Sequence, residues 1–512
     1  MNKKEGKSKP HHNIVFLVSS IFITIVVLFG AIWPNTFAKG AGKAFDFTTY
    51  AFGWFYLLAV LFFIIFLFVL AFSKYGKMKL GPDDSTPDYP FYTWVGMLMS
   101  CGLGIGLVFY GIAEPMSHFY TSPFYGEEAL TREAARTAMG YSFFHWGMSQ
   151  WAIFTVVGLA VGFFQFRKKE DGLISTTLKP LIKKRRGSKT LKRVIDISAV
   201  IATAVGVATS LGLGIMQING GLSSVFGISN NVTTHLIIVG VMLLLYLASS
   251  LSGLDRGIKW LSNINLTLMF IIMFYIFVTG PTVFILNTFV QGLGDYVNHF
   301  IEYSLRLSPY TENPWVREWT IFYWAWTIAW SPFVGAFIGR ISRGRTIREF
   351  VMGVLVVPPL ISILWVSVFG GTALYMDLFE GTNIAEAVNQ DLTSALFTTF
   401  GELPLSFAVS VLAIILIFTF LITSADSASY ILGTMTTNGM SVPPLLVRAI
   451  WGVLISAIAA VLTIASGLEG LQTASLVVAL PFTVILLFMI GSLYKQIRKD
   501  YQVKPNSKKK AS

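Results

Sequence analysis

"MLMSCGLGIGLVFYGIAEP", residues 97–115, is apolar and long enough for a membrane span, yet it carries glycine at 102, 104 and 106. Small residues that let two helices approach closely recur every four positions. Three at period two do not share one helix face, so close packing does not account for all of them. The pattern predicts a local unwinding at Gly102, Gly104 and Gly106, with backbone groups freed to bind a ligand. A dinucleotide reading fails, because the spacing is GxGxG and no soluble strand–turn–helix surrounds it.

The rest of the chain sets this span among others. Of 512 residues, 54% are hydrophobic and 12% charged, and the mean hydropathy is +0.66. Soluble domains carry roughly 25% charged residues. A span needs about 20 mostly apolar residues. Windows of that size give twelve: 13–34, 50–73, 91–112, 138–165, 195–217, 232–252, 259–288, 319–339, 350–375, 403–430, 447–467 and 472–494. The expectation is an all-α polytopic membrane protein, one transmembrane domain over 1–512 with an N-tail (1–12) and a basic C-tail (495–512). The basic "MNKKEGKSK" precedes a first apolar stretch too long for a signal peptide's core, so that stretch is kept as a span.

Twelve spans put both termini on one side. With that side cytoplasmic, 32 of the 38 Lys and Arg lie inside, leaving Lys39, Lys43, Arg132, Arg136, Arg306 and Arg317 outside, as the positive-inside rule requires. The net charge of +12 then reflects topology and contact with anionic lipid. Nucleic-acid binding would need those charges on a folded domain, and none is present. A single cysteine, Cys101, excludes an intramolecular disulfide, and six scattered histidines give no metal-ligand spacing. Phosphate loops and nucleophile elbows are missing too, which argues against an enzyme or a bound cofactor.

A second irregular run, "FYWAWTIAWSPFVGAF" (322–337), falls in span 8. Its proline removes a backbone donor and frees the carbonyl one turn back. Spans 3 and 8 are five apart. If spans 3–7 (91–288) and 8–12 (319–494) are two copies, the odd count turns the second upside down. Interrupted segments at matching places in two halves point to a transporter's central site. This predicts a five-plus-five inverted repeat, with spans 1 and 2 (13–73) peripheral and the site where spans 3 and 8 cross.

Span 10 carries "FLITSADSAS", with Thr423, Ser424, Ser427 and Ser429 in an oily helix. Each hydroxyl either bonds back to its own i−4 carbonyl or serves, with unwound carbonyls, as an oxygen ligand for a small hard cation. Asp426 needs a partner if it lies at mid-depth. Trp326, Trp330, Phe333 and Phe337 follow i, i+4, i+7 and i+11, one helix face. Span 4 adds Trp146, Trp151 and Phe154 in "FFHWGMSQWAIF". Such stripes are more often core, but phenylalanine or leucine packs as well without a buried N–H. Beside broken helices the tryptophans suit a cation held by ring faces. No acid obviously faces them, so the expected ligand is a zwitterion with a trimethylammonium head.

These runs resemble the betaine/choline/carnitine transporter family. "EWTIFYWAWT" leads through "SPFVGAFIGRISRGRTIREF" in span 8, and "GLGIGLVFYGIAEP", "FHWGMSQWAIF" and "TSADSAS" fall at matching places in spans 3, 4 and 10. The likeness runs nearly end to end and is strongest to bacterial sodium-coupled glycine betaine carriers. It implies a LeuT-like inverted repeat and sodium-driven import of glycine betaine for osmoprotection across the bacterial cytoplasmic membrane. It also implies homotrimers formed through a curved amphipathic helix before span 8, for which "GDYVNHFIEYSL" (294–305) qualifies. The family's aromatic box falls on Trp146, Trp151, Phe154, Trp324, Trp326 and Trp330.

Phe154 stands where a tyrosine is usual, and Trp326-Thr327 replaces a Trp-Trp pair. Choline carriers of the family place aspartate at Gly106, which here leaves room for a ligand carboxylate. The ion site falls on the Phe420 backbone, Thr423 and Ser424, facing Ser100 and Leu103. A second ion site falls on Thr203, with Val207 where another hydroxyl would stand. The alternatives are a sodium-independent carnitine/betaine exchanger and a proton-coupled choline carrier. Exchangers put cationic or thioether side chains at the ion site, whereas Thr423 and Ser424 keep oxygens. A channel would need a continuous polar lining, which is not visible.

Overall fold

The computed structural model describes residues 14–102, 104–182, 187–251, 255–311, 313–440 and 442–508. The chain begins with α1 (Ile14–Ile32) and α2 (Pro34–Phe72), then α3 (Phe91–Gly102) and α4 (Ile105–Tyr120). Next come α5 (Arg132–Trp146), α6 (Met148–Gly162), the short α7 (Ile174–Thr177) and the long α8 (Ser188–Phe226). After them stand α9 (Val232–Leu251), α10 (Asp255–Thr279) and α11 (Thr282–Leu305). The second half holds α12 (Phe322–Arg340), α13 (Ile347–Tyr375), the short α14 (Ile384–Gln390) and α15 (Ala395–Gly401), α16 (Ser406–Thr436) and α17 (Leu445–Lys508). Among the described residues nine helical stretches are long and apolar enough to cross a membrane, and Val232–Ala248 is a shorter apolar helix. The architecture is that of an all-helical, multi-pass membrane protein.

Local chemistry sets the helix ends. Thr131 caps α5 by accepting the Ala134 N–H at 3.2 Å, and Thr346 caps α13 by accepting the Glu349 N–H at 3.1 Å. Each occupies a donor that the first turn leaves without a partner. Pro34 opens α2, where its missing N–H costs nothing. In α17, Gly467 has φ 57 and ψ −138, so the helical path is interrupted there.

The breaks fall differently from the expectation. The proline of 322–337 does not interrupt its span: α12 runs unbroken through Pro332. Pro332 leaves the Ile328 carbonyl without its backbone donor, and the Ser331 hydroxyl donates to that carbonyl at 2.8 Å. A neighbouring side chain thus replaces the lost bond. Span 4, expected to be continuous, breaks instead, as does the expected span 259–288, which is divided between α10 and α11. Gly147, extended at φ −82 and ψ −153, separates α5 from α6. There the Met148 N–H donates to the Tyr296 hydroxyl of α11 at 3.0 Å.

The core sits around α12, which packs on α6 and α8. A Cβ at Gly206 of α8 would lie 2.8 Å from the Trp330 backbone nitrogen, so only glycine permits that approach. At one end of the bundle, Leu80 N–H donates to Arg345 O and Ile347 N–H to Met78 O, both at 2.8 Å. Arg167 pairs with Asp83 at 3.0 Å and Lys168 with Asp500 at 3.0 Å at this same end. At the other end, Arg306 donates to Pro123 O at 2.8 Å and Arg136 pairs with Asp295 at 2.6 Å.

Candidate substrate site

The helix carrying the glycine run stops at Gly102 and restarts at Ile105, with Gly104 extended (φ −138, ψ −158) as its N-cap. Three glycines at alternate positions across this break meet three different tryptophans. A Cβ on Gly102 would collide with the Trp151 ring, and one on Gly106 with the Trp326 ring. At Gly104 the nearest atom is Cη2 of Trp330 at 3.7 Å, an ordinary contact. The space over Gly106 is therefore filled by Trp326, which corrects the expectation of room there for a ligand carboxylate.

The rings form one cluster. Trp151 stands edge-on to Phe154 at 5.7 Å, and Phe154 edge-on to Trp330 at 5.7 Å. Trp330 lies nearly parallel to Trp326 at 6.3 Å and tilts against Phe333 at 6.1 Å. Phe337, last of the stripe, is half-buried. The Trp326 Nε1 is buried with no partner among the described residues, and so is the Thr327 hydroxyl. A buried donor without an acceptor is rare in a folded protein and calls for an explanation.

Trp146 and Trp324 are not in this cluster. Trp146 donates Nε1–H to Glu114 Oε2 at 2.8 Å, and Trp324 packs edge-on against Phe144 and His145 at 5.4 and 5.9 Å. Around Glu114 the structure gathers groups that look scattered in the sequence. His145 Nδ1 lies 2.6 Å from Oε1, His118 Nε2 3.3 Å from the same oxygen, and the Tyr323 hydroxyl donates to Oε2 at 2.5 Å. Glu114, His118 and His145 are fully buried. Sequence reasoning missed this cluster. Its signals were an acid and a histidine one turn apart at 114 and 118 in an apolar helix, and His145 beside Trp146.

The hydroxyls of α16 present both of their alternatives together. Thr423 donates back toward the Thr419 and Phe420 carbonyls, each at 3.1 Å, and accepts from Asn265 of α10 at 3.2 Å. The Thr423 hydroxyl and Phe420 carbonyl are thus neighbours, with the half-buried Ser424 next in the chain. The Ser100 side chain and Leu103, expected opposite, lie outside the described residues. Thr203 of α8 donates back to Ala199 O at 2.8 Å, with Met435 Sδ of α16 at 4.0 Å. Asp426 has its partner: Arg448 Nη2 at 3.2 Å.

A family model described as BCCT, betaine/carnitine/choline family transporter, matches residues 14–502. An ectoine/hydroxyectoine transporter of Virgibacillus pantothenticus is 60% identical over 488 residues, 95% of this chain and 97% of that protein. The glycine betaine transporter OpuD of Bacillus subtilis is 45% identical over 492 residues, 96% of this chain and 95% of its own. A high-affinity choline transport protein of Escherichia coli is 35% identical over 508 residues, 98% of this chain and 74% of its own. With a match over nearly its whole length, the chain belongs to the betaine/carnitine/choline family of membrane transporters.

Proposed function

We propose that this transporter is a sodium-coupled symporter importing a small zwitterionic osmolyte across a bacterial cytoplasmic membrane for osmoprotection. The observation that carries the reading is the meeting of Gly102, Gly104 and Gly106 with Trp151, Trp330 and Trp326 at a helix break. Ring faces hold an alkylated or delocalised cation. The buried Glu114 is engaged by Trp146, Tyr323, His118 and His145, and so is not offered to a cation between these rings. The ligand's own carboxylate supplies the counter-charge, and the unpartnered Trp326 N–H is a donor suited to it. A net cation such as choline would leave its charge uncompensated on entering.

Glycine betaine fits this description. Ectoine is a second reading, favoured by the 60% identity to the Virgibacillus transporter and by Thr327. Its buried hydroxyl, unpartnered among the described residues, suits a ring amidinium whose N–H groups need an acceptor. Sodium coupling draws support from the adjacent Thr423 hydroxyl and Phe420 carbonyl, hard oxygens of the kind such ions take. Homotrimer formation draws on the helix expected at 294–305, which is the second half of α11 (Thr282–Leu305), with Val297 and Ile301 exposed.

The twelve-span inverted repeat with both termini cytoplasmic belongs to the same proposal. The count is supported by nine long apolar stretches and the shorter α9; it takes α3 and α4 together as one span and α17 as two, separated at the non-helical Gly467. The test is uptake of labelled glycine betaine, ectoine and choline into proteoliposomes, with and without an inward sodium gradient. Saturable, gradient-dependent uptake of one or both zwitterions, with choline excluded, is the expected result. Gradient-independent exchange, or choline uptake matching the zwitterions, would sink the reading.

A further inference from the structure

Glu114 is a membrane-buried carboxylate to which the substrate reading assigns no task. It stands on α4, the helix that begins at the glycine break. An ionised carboxylate offers about four acceptor sites, and four groups surround this one. Oε2 accepts from Trp146 Nε1 at 2.8 Å and Tyr323 Oη at 2.5 Å. Oε1 faces His145 Nδ1 at 2.6 Å and His118 Nε2 at 3.3 Å. Though two histidines and a glutamate suggest a metal, Oε1 and Nδ1 stand closer together than two ligands about 2.0–2.1 Å from a tetrahedral zinc would. This is a hydrogen-bonded hub.

What distinguishes the hub is where its donors come from. Trp146 is the last residue of α5, immediately before the Gly147 break from which α6 and Trp151 start. Tyr323 is in the first turn of α12, and its ring touches Trp326 at 6.1 Å. His145 Nε2 reaches Thr320 Oγ1 at 2.9 Å, in the π-helical segment Arg317–Ile321 that leads into α12. One carboxylate therefore joins the glycine-bearing helix to α12, which carries Trp326, and to the last residue of α5, next to the Gly147 break from which the helix of Trp151 starts. Hydrogen bonds to an ionised group are about twice as strong as neutral ones, and a buried charge holds its partners because leaving them unpaired is costly.

We propose that Glu114 is a positioning residue for the aromatic site. Through Trp146 and Tyr323 it sets the spacing at which Trp151 and Trp326 close over Gly102 and Gly106. The inference rests on the reading that these rings hold the substrate. A hub that only held the scaffold together would act on folding or on maximal rate. One that sets ring spacing acts on affinity.

The experiment measures half-saturation and maximal rate for labelled ectoine and glycine betaine in proteoliposomes, for the wild type, Tyr323→Phe, Trp146→Phe, Glu114→Leu and Glu114→Gln. Tyr323→Phe and Trp146→Phe each remove one charge-assisted bond and should raise half-saturation about five- to ten-fold. Maximal rate should stay within about twofold. Glu114→Gln, whose amide oxygen still accepts from both donors, should recover most of the affinity lost in Glu114→Leu. Should Glu114→Leu fail to fold, the two aromatic variants decide alone. Wild-type half-saturation in both of them, or a fall confined to maximal rate, overturns the proposal. A wild type that takes up neither zwitterion refutes the substrate reading instead, and the two failures are told apart by that control.

Discussion

A single methyl group separates two predictions at the glycine run. Gly104→Ala places its Cβ 3.7 Å from Trp330 in an extended backbone that alanine adopts freely, and it should transport like the wild type. Gly102→Ala and Gly106→Ala push against Trp151 and Trp326, rings enclosed on every side, and should raise half-saturation about ten-fold or more. Equal behaviour of all three variants in uptake assays would return the run to a general role in helix packing. Trp330→Leu should weaken zwitterion binding about ten-fold, since a desolvated ring face contributes about 1–2 kcal/mol to holding a cation. Thr423→Ala should raise the sodium concentration needed for half-maximal uptake, because the hydroxyl that accepts from Asn265 also keeps a lone pair for an ion. An unchanged sodium dependence would leave back-bonding as its whole role. These residues could be picked out from sequence because period-two glycines and mid-span tryptophans violate ordinary span design. Their pairing could not, since which ring meets which glycine depends on the break between α3 and α4. Trp146 and Trp324 carried the same kind of signal, yet they face Glu114 and Phe144: Gly147 resets the phase of span 4, and Trp324 lies off the 326–330–333 face.

Proline in α12 and glycine in span 4 show how element-level rules succeed and fail. The rule that proline frees a carbonyl is correct at Ile328, but the residue before the proline is a serine whose hydroxyl takes the vacant place. Reading Ser331 and Pro332 together, rather than the proline alone, would have kept the helix whole. Ser331→Ala should lower thermal stability by about 1–2 kcal/mol, because it leaves that carbonyl buried without a donor. Adding Pro332→Ala restores the backbone N–H and should recover the loss. Failure of the double variant to recover, in a melting assay, would mean that Ser331 acts through something other than Ile328. The Gly147 break gave no such local warning. It depends on Tyr296, distant in the chain, whose hydroxyl lies where a Cβ on Gly147 would approach to 2.5 Å. That contact ties α11 to the start of the helix bearing Trp151, an arrangement only tertiary packing can specify.

The charge asymmetry along the chain makes a claim about the entire bundle, and the loop contacts bear on it. Segments 73–90, 166–182 and 340–349 and the end of α17 meet at one end through Arg167, Asp83, Lys168, Asp500 and the pairing of Met78 and Leu80 with Arg345 and Ile347. Those are stretches that the Lys and Arg distribution puts on the cytoplasmic side. A missed or surplus span between any two of them would have driven them to opposite ends. Membership in a family of transporters agrees with the reading of the chain as a carrier and not an enzyme. The orientation itself is open to direct test, and the single cysteine makes it simple: Cys101→Ser gives a cysteine-free background. In that background Asp83→Cys and Asp500→Cys should react with a membrane-impermeant maleimide only in inside-out vesicles. Glu128→Cys, on an exposed loop at the far end, should react only in intact cells. Labelling of position 83 from outside would invert the bundle, and labelling of 83 and 500 from opposite faces would break the even span count on which the inverted repeat depends.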